Sequence, residues 1–263
     1  MKILNNNNHV PRLNILGVEI SMTDMTNTLY VIENCIDHNK HAYVCVRDVH
    51  GIICSQKDIV LRNIHNKSIL TVPDGMPLVW IARFNNYKNI KKIYGPDLMD
   101  ILCKRSVIKG YTHFLYGGNE GIANQLKINL EKKYPGIKIS GTYTPLFNKK
   151  YKKESQDVIN MINNHKPNIL WIGLSTPKQE YFMGDWHNKV SANVMIGVGA
   201  AFDIHSDNIK DAPEWIKNSG FQWLFRVYKE PKRLLLRYLY SIPIFIIKYG
   251  KQLIKEKKFK KIK

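Results

Sequence analysis

The chain has no Cys-x-x-Cys pair, no apolar run long enough to cross a bilayer, and only 21 acidic side chains against 40 basic ones. Its four cysteines, Cys35, Cys45, Cys54 and Cys103, show neither metal-ligand nor disulfide-framework spacing, which argues against a zinc site or a disulfide scaffold and fits a reducing cytosol. His38 and His41 have no carboxylate or thiol companions, so no metal site is expected there. The first residues, Met1-Lys2-Ile3-Leu4 and then Asn5 to Asn8, lack the apolar core of a signal peptide. Residues 1–11 read as a flexible polar tail. No segment repeats.

What is present begins with size and charge. A chain of 263 residues that is 44% hydrophobic can bury a sizeable core, as one large domain or a domain with an appendage. The formal net charge of +19 implies an anionic partner: nucleic acid, phosphate groups or an acidic membrane face. Distribution separates these. Of the 40 basic residues, 13 lie between Arg226 and Lys263, where there are two acidic ones. Within that stretch Leu234 to Ile247 is strongly apolar, broken by Arg237 and Pro243 and followed by a series of lysines. A spanning helix needs ~20 apolar residues, so this run suits an interfacial anchor on an anionic surface. The alternative is a terminal helix docked on the core with a solvated basic tail. A nucleic-acid-binding chain would interleave its basic residues with aromatics along a groove, so no nucleic-acid partner is expected.

Short β-rich runs at 42–46, 68–72, 113–116, 137–140, 168–172 and 193–198 alternate with helix-like segments at 77–84, 97–108, 120–134, 152–164 and 179–189. That order predicts an α/β fold: a Rossmann-like, mostly parallel sheet with helices on both faces. Residues 12–220 would form this catalytic unit, and residues 221–263 a basic, amphipathic, helical appendage that associates with a membrane.

Candidate site residues collect where strands should end. Thr71-Val72-Pro73-Asp74-Gly75-Met76-Pro77 places a carboxylate between a β-branched run and an apolar helix, the position at which open α/β sheets bind ligands. The competing reading is that Asp74 is simply a helix N-cap. Gly117-Gly118, Gly173 and Gly197-Val198-Gly199 follow strands and precede helices, where backbone N–H groups can approach a phosphate. Gly197-Val198-Gly199-Ala200-Ala201-Phe202 opens like a dinucleotide fingerprint. It lies too late in the chain, with Phe202 where the third small residue belongs, so no nicotinamide cofactor is expected.

Six segments occur in the order seen in one family: Val46-Arg47-Asp48-Val49-His50-Gly51, Pro73-Asp74-Gly75-Met76-Pro77, Tyr94-Gly95-Pro96-Asp97-Leu98-Met99, Gly173-Leu174-Ser175-Thr176-Pro177-Lys178-Gln179-Glu180, Gly197 to Asp203, and Glu230-Pro231-Lys232-Arg233-Leu234. On these motifs the chain resembles the WecG/TagA/CpsF glycosyltransferases. The resemblance implies a cytoplasmic enzyme, peripheral on the inner face of the cell membrane. It would move an N-acetylmannosamine-type sugar or a hexose from a UDP-sugar, with inversion, onto a polyprenyl-diphosphate-linked saccharide for teichoic acid, capsule or exopolysaccharide. No cofactor or metal is implied, and the absence of an Asp-x-Asp triplet agrees.

Carried over residue by residue, the resemblance makes Asp74 the general base and Gln179 a residue orienting the donor, with Glu180 structural. Asp48 and His50, at the end of another strand, are expected to hydrogen-bond a substrate sugar, with His50 the second-choice base and a buried, satisfied histidine the competing reading; Gly117, Gly118, Gly199, Phe202 and Asp203 are expected to bind substrate as well. Arg226, Arg233 and Arg237 would hold the lipid diphosphate, for which guanidinium forks are suited. Asp211 departs from the family pattern and is expected to face solvent. A non-catalytic scaffold of a polysaccharide assembly complex is the competing function. The oligomeric state is left open, a homo-oligomer included.

Overall fold

The computed structural model describes residues 10–146 and 150–262, apart from the side chains of Asn218, Arg233 and residues 257–262. Residues 1–9 of the expected tail lie outside the described residues. Val10 is already buried, and the Pro11 carbonyl accepts from the Met22 N–H.

All six expected strands are present: β3 (Ala42–Arg47), β4 (Leu70–Pro73), β5 (Thr112–Gly117), β6 (Lys138–Tyr143), β7 (Ile169–Gly173) and β8 (Val194–Gly197). They form one parallel sheet in the order β4-β3-β8-β7-β5-β6. A hairpin of β1 (Arg12–Ile15) and β2 (Val18–Ser21) forms a separate two-stranded sheet, turning through Leu16 and Gly17, both at positive φ.

Side-chain alternation along the strands divides the core in two. Val44, Val46, Ile169 and Trp171 pack on one face with α1 (Met25–Asp37), α5 (Gly95–Lys109) and α6 (Ile122–Lys133). Tyr43, Cys45, Leu170 and Ile172 pack on the other with α3 (Ile59–Lys67), α7 (Gln156–Asn164) and α8 (Lys178–Trp186). Burial on both faces is why these strands read as short continuous apolar runs.

The chain then passes through α9 (Ala201–His205), α10 (Glu214–Ser219) and α11 (Gln222–Lys229) into α12 (Pro231–Ile262). The 32 residues of α12 span about 48 Å. Its inward stripe follows helical spacing. Leu234 and Ser241 are fully buried, Phe245 and Tyr249 pack with the β1–β2 hairpin, and Gln252 bonds both Leu16 N–H and the Asn14 carbonyl. The outward stripe, with Leu235, Leu236, Leu239, Ile246, Ile247 and Ile254, is exposed. Both readings of the apolar run thus describe part of this helix: one face docks, and an apolar face remains bare. Among the described residues no helix is long and apolar enough to cross a membrane.

Two glycines let neighbouring strand ends meet. Gly117 has φ +127°, and a Cβ there would lie 2.7 Å from the Gly173 backbone. A Cβ on Gly173 would lie 2.4 Å from the ring of Phe202, which is fully buried against it. Phe202→Ala should cost about 3–5 kcal/mol of stability, because a ring wedged between backbone segments leaves a cavity that cannot collapse. Urea unfolding measures this, and a loss below about 1 kcal/mol would contradict the wedge role.

Candidate active site

The C-terminal edge of the sheet carries two neighbouring clefts, parted by the segment between β7 and α8. The central one is lined by Arg47 and Asp48 after β3, Asp74 after β4, Ser175, Thr176 and Gln179 around the start of α8, and the Gly197–Ala200 turn after β8. Tyr94, Arg226 from α11 and Arg237 from α12 complete its lining. The second cleft, about 660 Å³, lies over β5, β6 and β7 and is lined by Tyr116, Gly118, Tyr143, Tyr151, Lys152 and Lys153 among others.

Asp74 is placed by backbone. Arg47 and Pro73 are register partners in the parallel pair β3–β4, and the Asp74 N–H donates to the Arg47 carbonyl at 2.7 Å. The following helix, α4 (Met76–Phe84), is capped by Gly75 at φ +114° without any side-chain cap bond. Asp74 therefore caps nothing and faces the cleft, which decides against the N-cap reading. Burial pushes its carboxyl up to about 6, and the nearby Asp48 charge adds to the shift, against the opposing pull of Lys92, Arg226 and Arg47.

Asp48 has the opposite fate. It does cap a helix: its Oδ1 accepts from the Gly51 N–H at 2.9 Å at the start of α2 (Val49–Cys54). Its Oδ2 pairs with Arg237 Nη2 at 2.6 Å. Burial works against the Asp48 charge, but Arg237, Arg47 and His50 outweigh it and hold the carboxyl well below the ordinary range. The two carboxylates are thus pushed apart, the pattern that separates a proton acceptor from a permanently ionised partner.

His50 is occupied on both ring nitrogens. Nδ1 lies 2.8 Å from Ser241 Oγ on α12, and Nε2 lies 3.4 Å from Cys54 Sγ. Burial first, then the Arg237 charge, lowers its pKa to about 4, so the ring is neutral near pH 7.

Of the other expected residues, Gly199 and Gln179 line the central cleft and Gly118 the second. Gly117 stands behind Gly118, its carbonyl accepting from Thr144 Oγ1. Phe202 lies beneath the cleft, and Asp203 accepts from Asn208 Nδ2 at 2.9 Å. Arg233 is on α12, its side chain outside the described residues. Asp211 corrects the expectation of a solvent-facing carboxylate. It is partly buried, accepts from Tyr94 OH at 3.0 Å and pairs with Lys217 at 2.8 Å, so its charge is neutralised at the rim. Sequence reasoning passed over Lys92 and Tyr94, which flank Asp74, and the tyrosines of the second cleft. Tyr94 sat beside an informative Gly-Pro-Asp motif, whereas Lys92 carried no local signal.

A parallel α/β sheet with a carboxylate of raised pKa and two arginines at its C-terminal edge is the layout of an enzyme acting on an anionic substrate. Residues 13–259 match the Glycosyl transferase WecG/TagA/CpsF family, and the chain belongs to that family of glycosyltransferases. It is 28% identical over 251 residues to an N-acetylglucosaminyldiphosphoundecaprenol N-acetyl-beta-D-mannosaminyltransferase of Bacillus subtilis, covering 94% of this chain and 92% of the relative. A protein of the same name from Staphylococcus aureus is 24% identical over 254 residues, covering 95% and 96%.

A carbon-13 NMR titration of the Asp74 carboxyl should inflect near pH 6 rather than at the ordinary 3.8. Asp48→Asn should move that inflection down, because it removes a neighbouring negative charge. An inflection near 4 in the unaltered protein would contradict the placement.

Proposed function

We propose that the protein transfers an N-acetylmannosamine-type sugar or a hexose from a UDP-sugar, with inversion, to a polyprenyl-diphosphate-linked saccharide. The observation that carries this reading is Asp74: a cleft-facing carboxylate, committed to no cap, with its pKa raised to about 6. That value lets it be largely ionised near neutral pH yet a better proton acceptor than an ordinary aspartate. The acceptor hydroxyl gives its proton to Asp74 as its oxygen bonds to the anomeric carbon. The bond from that carbon to the UDP oxygen breaks on the opposite face, and the departing diphosphate takes the electron pair. Arg226 and Arg237, which line the cleft, supply the positive potential that this charge requires. The relatives' name supports an acceptor of the diphosphoundecaprenol-linked N-acetylglucosamine type. The second cleft, with stacked Tyr116 and Tyr143 and several lysines, suits the nucleoside end of the donor.

Residues 221–263 act in this reading as the appendage that holds the site at the inner face of the cell membrane. Supporting it is a bare apolar surface on that segment: Trp223, Leu224 and Tyr228 on α11, and Leu236, Leu239, Ile246 and Ile247 on α12. This surface extends onto the catalytic unit. Exposed Trp80 and Phe84 lie on α4, and Gly220, between α10 and α11, packs against Trp80. Aromatic and aliphatic side chains beside lysines are the composition of an interfacial surface.

UDP release from UDP-N-acetylmannosamine and UDP-glucose, with lipid-diphosphate acceptor and a chelator present, tests the activity. Asp74→Asn should lower turnover about 10²- to 10⁴-fold while leaving UDP binding intact. Near-native turnover by that variant, or acceptor-independent release only, would overturn the assignment. For the surface, co-sedimentation should show binding to vesicles containing phosphatidylglycerol over pure phosphatidylcholine. The double change Leu236→Asp and Leu239→Asp should weaken it about tenfold or more. Equal partitioning of native and changed proteins would count against this face.

A further inference from the structure

Beneath the central cleft lies a buried polar cluster whose members come from distant parts of the chain. Arg47, at the end of β3, is 2% exposed, and Glu180, in the first turn of α8, is fully buried. Arg47 Nη1 pairs with Glu180 Oε1 at 2.9 Å and also lies 2.9 Å from His65 Nε2 on α3. Its Nη2 donates to Thr176 Oγ1 at 2.8 Å and to the Val46 carbonyl at 3.0 Å. The same Glu180 Oε1 accepts from Gln179 Nε2 at 2.9 Å. Gln179 is 3% exposed, and its other polar atom, Oε1, has no hydrogen-bond partner within the protein.

The chemistry of these groups fixes the orientation of the Gln179 amide. A carboxylate paired with a guanidinium offers only acceptors, so the end of the amide turned toward it must be the NH₂. The carbonyl oxygen is therefore directed the other way, toward Gly199, while Nε2 lies beside Gly197. A Cβ on Gly199 would lie 3.5 Å from Gln179 Oε1, and Gly199 lines the cleft. Gln179 lines the same cleft, and with no side chain on Gly199 nothing bulky stands between this oxygen and a ligand there. A buried acceptor without a partner is destabilising, and a ligand hydrogen bond can recover that loss.

We infer that Glu180, held by Arg47, is a positioning residue that makes Gln179 present an acceptor to the cleft, so that Gln179 recognises a hydroxyl or amide N–H of the transferred sugar and not a phosphate oxygen. A phosphate oxygen at neutral pH has no proton to donate to it. This rests on the UDP-sugar reading given above and specifies which half of the donor Gln179 senses. It also gives Arg47 a role: without its guanidinium the Glu180 charge would be buried alone.

Calorimetric titration of the full chain with UDP, UDP-N-acetylmannosamine and UDP-glucose tests it. The unaltered protein should bind one of the UDP-sugars more tightly than UDP. Glu180→Gln can donate its own amide to Gln179, turning that side chain over. This variant should bind UDP as the unaltered protein does and lose the sugar increment, about tenfold in affinity. Gln179→Met, which buries no new charge, should do the same and serves if Glu180→Gln does not fold. Equal weakening of UDP and UDP-sugar would place the amide on the diphosphate and overturn the inference. So would unchanged binding of both ligands by both variants, or equal affinity of the unaltered protein for UDP and both sugars. Failure of the unaltered protein to bind UDP at all would overturn the donor reading itself, and this inference with it.

Discussion

Two carboxylates held at the ends of adjacent parallel strands form the constraint around which this molecule is arranged. The β3–β4 register, extended by the bond from Asp74 N–H to the Arg47 carbonyl, sets Asp48 and Asp74 next to one another at the sheet edge. Two such charges in a partly desolvated cleft oppose each other, and the fold resolves the conflict unequally. Asp48 receives a helix N-terminus and a guanidinium, and remains ionised. Asp74 receives no direct hydrogen bond from a charged group among the described contacts, only the more distant fields of Lys92, Arg226 and Arg47, and its pKa rises. Asp74 is raised first by its own burial and then by the ionised Asp48 beside it, whereas Asp48 is held down by its cations.

The guanidinium that settles Asp48 comes from α12, nearly 190 residues later in the chain, as Arg237. The same stripe of α12 brings Ser241 to His50 and Phe245 to the hairpin core. The terminal helix is therefore part of the site's electrostatics as well as a candidate membrane surface. Its outward face cannot be satisfied by the protein: Leu236, Leu239, Ile246 and Ile247 are all exposed, more contiguous apolar surface than a solvated helix ordinarily carries.

Most of the parallel sheet was legible in the sequence because strands buried on both faces must be apolar and β-branched over four to six residues, and the helices between them keep a 3.6-residue rhythm. The β1–β2 hairpin was not. Its strands are only four residues long and its turn uses Leu16-Gly17, without the Asn-Gly or Asp-Gly signal that normally marks such a turn. Asp74 was legible as a candidate because Gly75 and two prolines punctuate a strand end. Its separation from Asp48, by contrast, depends on Arg237 and on strand adjacency, neither of which local spacing reveals. Arg47 and Glu180 are 133 positions apart, and only the fold makes them a pair. Asp211 looked like a misplaced charge because its partners, Tyr94 and Lys217, approach from separate elements.

On the proposed reading, Arg237 faces a choice that the architecture makes consequential. In this form it is paired with Asp48, while it also lines the cleft where a substrate diphosphate would lie. A diphosphate offers more charge and more acceptor oxygens than one carboxylate already capping a helix, so its arrival draws Arg237 inward. Asp48 then loses its closest cation, and its negative field acts more fully on Asp74, raising the proton affinity of the base. Substrate charge and base strength become coupled through a single guanidinium on the helix whose other face is apolar and exposed. On that reading a site built on β3 and β4 depends on a side chain delivered from α12.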